Sequence, residues 1–443
     1  MAIKAGSILH VANQFVVDRI QTGGPGNLNI PQEKVYELGN YQSVGIVRDV
    51  PDLTFSLDCL EVDTEVEALL TGSLNPSADA ASTMYQLADV KPIDIISPWK
   101  TGQTAAAPFD TVRGVAIPAL SLESASYKYG LKQNAGETFS LRGDSIYYIP
   151  GTPWQDIVLG SDLTAGVWTF AHGPALLYRE GGDSLYALSV SVDGQRLTPG
   201  SDYTETATAV TFTPAPASTA KISVVYGSAT TATYPQAGVV TPAWSKPGAG
   251  VGSNATPAGL VHQGLAVKPA AIRGKDIDCY FSTAIPGVDL GAGVGVAVEV
   301  RWPDVQSVSI DWKVTIEDDY EFGNPRAVNR DFADVPAVTG SIDLKPRSIL
   351  AMFTRLQQIT GVPAAQIIGP QSSVAGGLRV ELRNPESGGS TAVAAGAVLK
   401  THYVPDARFT IPGYEGRVQQ KLSQTVTFES DAGLLQTFKG VRA

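Results

Sequence analysis

Two groups of acidic residues are the first places to look for chemistry: Glu61, Asp63, Glu65 and Glu67, and then Glu317, Asp318, Asp319 and Glu321. Neighbouring carboxylates can act as a general acid and base, or hold a hard cation. The first group surrounds a predicted helix start, where acids complement the helix dipole and face solvent. The second lies on a strand running into a loop, so both groups read as solvated faces. The four histidines, His10, His172, His262 and His402, show no H-x-H or H-x-x-x-H spacing and are expected to be structural rather than zinc ligands. GAGVG at 248–252 and at 291–295 does not complete G-x-G-x-x-G, and neither a nucleophile elbow nor a Walker sequence occurs. Cys59 and Cys279 lack C-x-x-C spacing and read as buried thiols. Trp154, Trp168, Trp244, Trp302 and Trp312 form no cluster in sequence and suit packing better than sugar stacking. No catalytic set, cofactor or metal is expected, and the chain is not expected to be an enzyme.

The elements around these residues are mostly strands. Val, Thr, Tyr, Ile and Phe recur in short runs broken by Gly and Pro, which points to a mainly β chain with few helices. With 443 residues the chain has room for two to four domains, and 43% hydrophobic against 17% charged residues supplies real cores. The net charge of −11 disfavours a dedicated nucleic-acid binder, whose affinity would come from Lys and Arg. No apolar run approaches the ~18 residues of a membrane helix. The start, MAIKAGSILHVANQFVVDR, has no signal-peptide core, so assembly in a cytoplasm is expected.

The chain also repeats itself. Tyr36-Glu37-Leu38-Gly39-Asn40 returns as Tyr320-Glu321-Phe322-Gly323-Asn324. Val50-Pro51 matches Val335-Pro336, followed by alternating Phe55 and Leu57 in one place and Ile342 and Leu344 in the other. TEVEALLTG (64–72) and RSILAMFTRLQQITG (347–361) read as helices closed by Thr-Gly. Pro118 and Asp144 meet Pro405 and Asp431 at the same offset of 287, and T-F-S-L (138–141) meets T-V-T-F (425–428) inside a hairpin pattern. The order is kept throughout, so the chain reads as a tandem duplication. Residues 1–150 form one unit and 263–443 the other. Between them lie a small β module, 151–228, with a hairpin turn at Asp193-Gly194, and a linker rich in Gly, Ala, Pro and Thr, 229–262.

The motif with its long loop, the helix ending in Thr-Gly and the hairpin ASYKYGLKQNAGETFSLRGD together resemble phage tail tube proteins, also called major tail proteins, in internally duplicated form. The stretches VDGQRLTPGSDY, VTFTPAP and KISVVY resemble the Ig-like β modules appended to virion surface proteins. The resemblance implies two tandem β-sandwich or barrel units, each with a flanking helix, plus the inserted module on the tube exterior. Three chains would close a pseudo-hexameric ring, and stacked rings would form a virion tail tube, assembled in the host cytoplasm, through which DNA passes unbound. Loops at 38–52 and 322–338 would reach the next ring through Gly39, Asn40, Tyr41, Arg48, Asp49, Gly323, Asn324, Arg326, Arg330 and Asp331. Glu33, Glu37, Glu317, Asp319 and Glu321 would line the lumen and repel phosphates. Implied partners are further copies of the chain, a tape measure, a tail terminator, a baseplate and a sheath where the tail contracts. Competing readings are a tail-fibre or baseplate adhesin binding through 151–228, the inner tube of a contractile injection system, and a glycan hydrolase.

Overall fold

A computed structural model describes residues 11–12, 15–16, 20–26, 28–29, 32–36, 43–48, 51–60, 64–73, 79–98, 109–111, 114–131, 133–149, 151–180, 183–229, 232–234, 272, 274–283, 298–302, 304–320, 327–345, 375–385, 396–410, 423–430 and 432–442. The first part runs β1 (Val11–Ala12), β2 (Phe15–Val16), β3 (Ile20–Pro25), β4 (Gln32–Tyr36), β5 (Ser43–Arg48), β6 (Leu53–Cys59), α1 (Glu65–Leu70), β7 (Met84–Gln86), β8 (Ile93–Pro98), β9 (Phe109–Thr111), β10 (Gly114–Gly130), β11 (Gly136–Gly143) and β12 (Tyr147–Ile149). The middle part holds β13 (Thr152–Leu159), β14 (Val167–Thr169), β15 (Tyr178–Glu180), β16 (Asp183–Leu185), β17 (Ala187–Val192), β18 (Gln195–Arg196), β19 (Tyr203–Glu205), β20 (Ala209–Phe212), β21 (Lys221–Ser228) and β22 (Ala232–Tyr234). The last part runs β23 (Ile277–Thr283), β24 (Val298–Arg301), β25 (Val305–Lys313), β26 (Ile316–Tyr320), β27 (Ala327–Phe332), β28 (Ala337–Leu344), β29 (Ala375–Arg383), β30 (Val398–Phe409), β31 (Gln424–Ser430) and β32 (Gln436–Lys439).

The protein is mainly β, built of several antiparallel sheets with almost no helix. Among the described residues flanking helices of the expected length are not seen. Among the described residues the α-helix is the six-residue α1, every residue of which is buried, and the expected helix at 347–361 lies outside them. No helix is long and apolar enough to cross a membrane among those residues. Alternation explains the strands. In β6, Leu53, Phe55, Leu57 and Cys59 point inward between more exposed neighbours, as do the alternate residues of β11. They join Trp312, Ile342, Val380, Val404 and Phe428 in one core that draws on the first and last parts alike.

Strand pairing in the first part recurs in the last, irregularities included. Ile20 and Thr22 flank a bulge opposite Cys59 and Asp58, while Val305 and Ser307 flank one opposite Leu344 and Asp343, all four positions displaced by the same shift. Val35 and Tyr36 meet Gly45 and Ser43 across a second bulge, and Asp319 and Tyr320 meet Asn329 and Ala327, again by one common shift. A third separates Ile117 from Leu120 opposite Ile95 and Ile93, and Val404 from Ala407 opposite Leu378 and Gly376. Pro118 and Pro405 fall inside this last bulge, where a residue without an N–H costs the ladder nothing. Leu57 faces Phe139, and Ile342 faces Val426. The ladders therefore align Leu57, not Phe55, with Ile342, a slip of two positions from the match read in sequence. Such a slip keeps inward and outward faces in step, which is why alternation alone does not expose it.

The segments read as loops at 38–52 and 322–338 prove to contain strands. β4 pairs with β5, and β26 with β27, as two-stranded hairpins. Their tips, 37–42 and 321–326, lie outside the described residues. In the middle part β13, β21, β17 and β18 form one sheet and β14, β20 and β19 another, around a separate core of Trp154, Val190, Val210, Ile222, Val224 and Tyr226. Asp193 (φ 52) and Gly194 (φ +89) make the tight turn between β17 and β18, as expected of Asp-Gly.

Gly340 on β28 marks a close approach. A Cβ there would lie 2.2 Å from the Ser309 carbonyl and 2.4 Å from the Phe428 ring. Across the equivalent rung of the first part, Phe55 faces Leu141, so bulk has moved from one strand to its neighbour. Gly340→Ala should destabilise the fold by about 1–3 kcal/mol through overpacking. Urea denaturation measures this, and an unchanged midpoint would contradict the packing described.

Candidate functional site

The described group of side chains with the most reactive composition lies between the first and last parts. α1 delivers Glu67, β10 delivers Tyr127 and Tyr129, β11 delivers Glu137, β30 delivers Lys400 and His402, and β32 delivers Thr437. Lys400 Nζ sits 2.6 Å from Glu67 Oε1 and 2.8 Å from Glu137 Oε2. Tyr127 OH donates to Glu67 Oε1 at 3.1 Å. Tyr129 OH donates to Glu137 Oε1 at 3.2 Å and lies 2.7 Å from His402 Nε2, whose ring Nδ1 is 3.0 Å from Thr437 Oγ1. One proton arrangement satisfies this chain: Thr437 donates to Nδ1, Nε2–H donates to Tyr129, and Tyr129 donates to Glu137.

Burial alone would lower the pKa of Lys400, but the carboxylates of Glu137 and Glu67 outweigh it and raise the value, so the ammonium is held. Burial, and then the neighbouring Lys400, press His402 well below its ordinary range, which makes it a neutral imidazole. Burial, followed by the two glutamates, pushes Tyr127 and Tyr129 well above theirs. Glu67, Glu137 and His402 stand close enough together for a metal ion, but Lys400 already places its charge against both carboxylates. Lys400, His402 and Glu67 are 0% exposed. No substrate reaches a cluster sealed in this way, and its chemistry is that of a buried lock between two parts of one chain.

The expectation that the first acidic group is solvated therefore needs correcting at Glu65 and Glu67, while Glu61 and Asp63 lie outside the described residues. Glu65 and Glu67 are buried, and Glu67 is paired with a lysine far along the chain. In the second group Glu317 and Asp319 are exposed as expected, whereas Asp318 is drawn into an ion-pair chain. Arg330 binds Asp318 and Asp144, each at 2.8 Å, and donates to the Ala119 carbonyl at 2.5 Å. Arg142 joins Asp318 to Asp52, and Arg196 of the middle part reaches Asp144 at 3.5 Å. Burial would raise the Asp144 carboxyl, but Arg196 and Arg330 bring it below the usual range. Of the residues assigned to ring-to-ring loops, Arg330 thus spends its side chain inside the molecule, 4% exposed, while Asp331 is exposed beside Asn329. Arg48 lies on β5 and Glu33 on β4. Gly39, Asn40, Tyr41, Asp49, Gly323, Asn324, Arg326, Glu37 and Glu321 lie outside the described residues, as do His10, His262 and Trp244.

The middle part buries a second polar group. Asp156 accepts from Trp168 Nε1 and the Ala171 N–H at 3.0 Å and from Tyr226 OH at 3.1 Å, while His172 stacks on Trp154. Burial raises Asp156 to about 6 and lowers His172 to about 3. Cys59 and Cys279 are buried thiols that form no disulfide, with burial pushing Cys279 up to about 12. A scan of known protein families finds no match to this chain, and neither does a search of curated proteins.

Removing the cation from the sealed cluster, as in Lys400→Met, leaves two buried carboxyl groups facing each other. A loss of about 3–5 kcal/mol in urea denaturation is expected, and a loss below about 1 kcal/mol would contradict the pairing. For Asp156 the folded pKa lies above the unfolded one. Its contribution to stability therefore falls as pH rises from about 4 to about 6. Asp156→Asn should abolish that fall, so its melting temperature relative to wild type should rise between pH 4 and pH 7. A difference that is flat with pH would contradict the assignment.

Proposed function

We propose that the chain is a structural subunit of a virion tail tube: a duplicated unit, three copies of which close a pseudo-hexameric ring, with stacked rings conducting DNA. The observation that carries the reading is the recurring strand register, joined edge to edge. β10 of the first part pairs with β25 of the last along seven residue pairs, from Ser124–Lys313 to Gly130–Ser307, so one sheet runs unbroken across both parts. Units that add strands to one another head to tail close into rings when the rotation permits, and rings extend by stacking. A subunit of this kind has no need of a reactive cleft. The sealing of the cluster around Lys400 agrees with that.

On this reading, residues 1–150 and 263–443 are the two tail-tube units, 229–262 links them, and 151–228 is an Ig-like module on the exterior. The tips of the β4–β5 and β26–β27 hairpins reach the next ring. Exposed Glu317 and Asp319, and Glu33 on β4, contribute to a lumen that repels phosphate. Tape measure, terminator and baseplate proteins are its partners at the ends.

Negative-stain electron microscopy of the purified protein, with class averaging, tests the reading. Hollow rings or tubes with threefold symmetry are expected. Slender channel-less trimers, together with host-cell binding by residues 151–228, would replace it with a tail-fibre or baseplate adhesin.

A further inference from the structure

The Lys400 cluster holds the parts of a condensation as well as those of an ion pair. Lys400 Nζ stands 2.9 Å from Oε1 and 2.8 Å from Oε2 of Glu137, so the nitrogen faces the carboxyl carbon between them. Glu67 Oε1 lies 2.6 Å from the same nitrogen. The second Glu67 oxygen, Oε2, is buried with no hydrogen-bond partner among the described residues. Tyr129 OH donates to Glu137 Oε1 at 3.2 Å, and Tyr127 OH donates to Glu67 Oε1 at 3.1 Å. A nitrogen nucleophile, a carboxyl carbon, a donor on that carboxyl and a second carboxylate to carry protons are thus assembled in one place.

The surroundings favour reaction. Groups held against each other in this way meet at effective concentrations of about 10⁵–10⁸ M. Burial makes each charge costly, and forming an amide from an ammonium and a carboxylate removes two charges at once. Other ion pairs of the molecule lack one or another of these conditions. Lys275 stands 2.8 Å from Asp276, but its side chain is 64% exposed, where water solvates both ions. Arg196 and Arg330 are buried against Asp144, but a guanidinium keeps its proton and is no nucleophile. Lys400 rests as an ammonium, so its amine arises only as a proton passes to a neighbour, and Glu67 is placed to take it.

We infer that Lys400 and Glu137 condense into an isopeptide bond, with Glu67 as the proton carrier, cross-linking β30 of the last part to β11 of the first. Glu67 takes a proton from the ammonium. A turn of the Glu137 carboxyl about Cγ–Cδ presents the face of its carbon, and the Nζ lone pair attacks there. Tyr129 OH steadies the negative charge that gathers on Oε1. Glu67 hands its proton to Oε2, collects a second from the nitrogen and passes that on as well. The C–O bond breaks and the new C–N bond remains. Oε2 leaves as water with two protons that began on Nζ, and the two charges disappear together. No oxidant, reductant or co-reactant is needed. The bond closes a loop between residues 263 apart in sequence, which restricts the unfolded chain as a disulfide would. The inference goes beyond the tail-tube reading and does not rest on it.

Mass spectrometry of the purified, denatured full chain tests it. The intact mass should fall one water below that of the sequence. Trypsin does not cut after an acylated lysine, so the digest should hold a branched peptide in which 133–142 is joined to 384–408. Glu67→Met keeps the bulk of the side chain and leaves Lys400 facing Glu137. It should lower the linked fraction at least ~10-fold, the loss expected of a missing proton carrier, with an unchanged circular dichroism spectrum. The wild-type digest decides the matter even where that variant does not fold. A wild-type chain of full mass, whose digest releases 384–400 and 401–408 separately, overturns the inference, as does a lost water located elsewhere in the chain. A link that forms undiminished in Glu67→Met overturns the role given to Glu67.

Discussion

Seven rungs between Ser124–Gly130 and Ser307–Lys313 hold the molecule together, because they decide where every other strand can lie. An exposed strand edge presents a row of unsatisfied N–H and C=O groups. By lending β10 to β25, the chain satisfies one such row and makes one sheet of two. The core follows from that join. Tyr127 and Tyr129 reach it from β10, Ile310 and Trp312 from β25, and the buried side chains of both parts pack as one cluster. A slip of β10 by a single position against β25 would turn Tyr127 and Tyr129 to the face opposite Ile310 and Trp312.

The sealed Lys400 cluster sits beside this join and makes it specific. Burying an ammonium and two carboxyl groups is expensive unless each finds its partner, and here the partners come from opposite parts of the chain. A wrongly paired edge would strand Lys400 among apolar side chains. The Arg330 chain acts in a similar way for the β26–β27 hairpin, pinning it to Asp144 of the first part and, through that carboxylate, to Arg196 of the middle part. The buried charges of Lys400 and Arg330 are thus both placed at junctions between parts.

Much of this is legible in the sequence. The mainly β character follows from alternating runs, the turn at Asp193-Gly194 from its two residues, and the offset of 287 between Pro118 and Pro405 from plain comparison. The β10–β11 and β30–β31 ladders keep that offset, with Leu122 facing Leu141 and Phe409 facing Phe428. The strands β5 and β27 are hidden because Gly45 and Asn329 sit at bulged positions and blur the alternation. The burial of Glu67 is hidden for another reason. Its partner Lys400 comes from the far end of the chain, and no local pattern distinguishes a glutamate on a solvated helix from one aimed at a distant lysine. Arg330 reads as a loop residue for the same cause, since Asp144 and Ala119 are its neighbours only after folding.

A reconstruction of the assembled particle by electron cryomicroscopy, at a resolution that traces strands, tests the central claim most directly. The account predicts hollow rings of three chains in which the junction between chains superimposes on the β10–β25 junction within a chain. Assemblies without a channel, or a two-fold contact in which like parts meet, would contradict it.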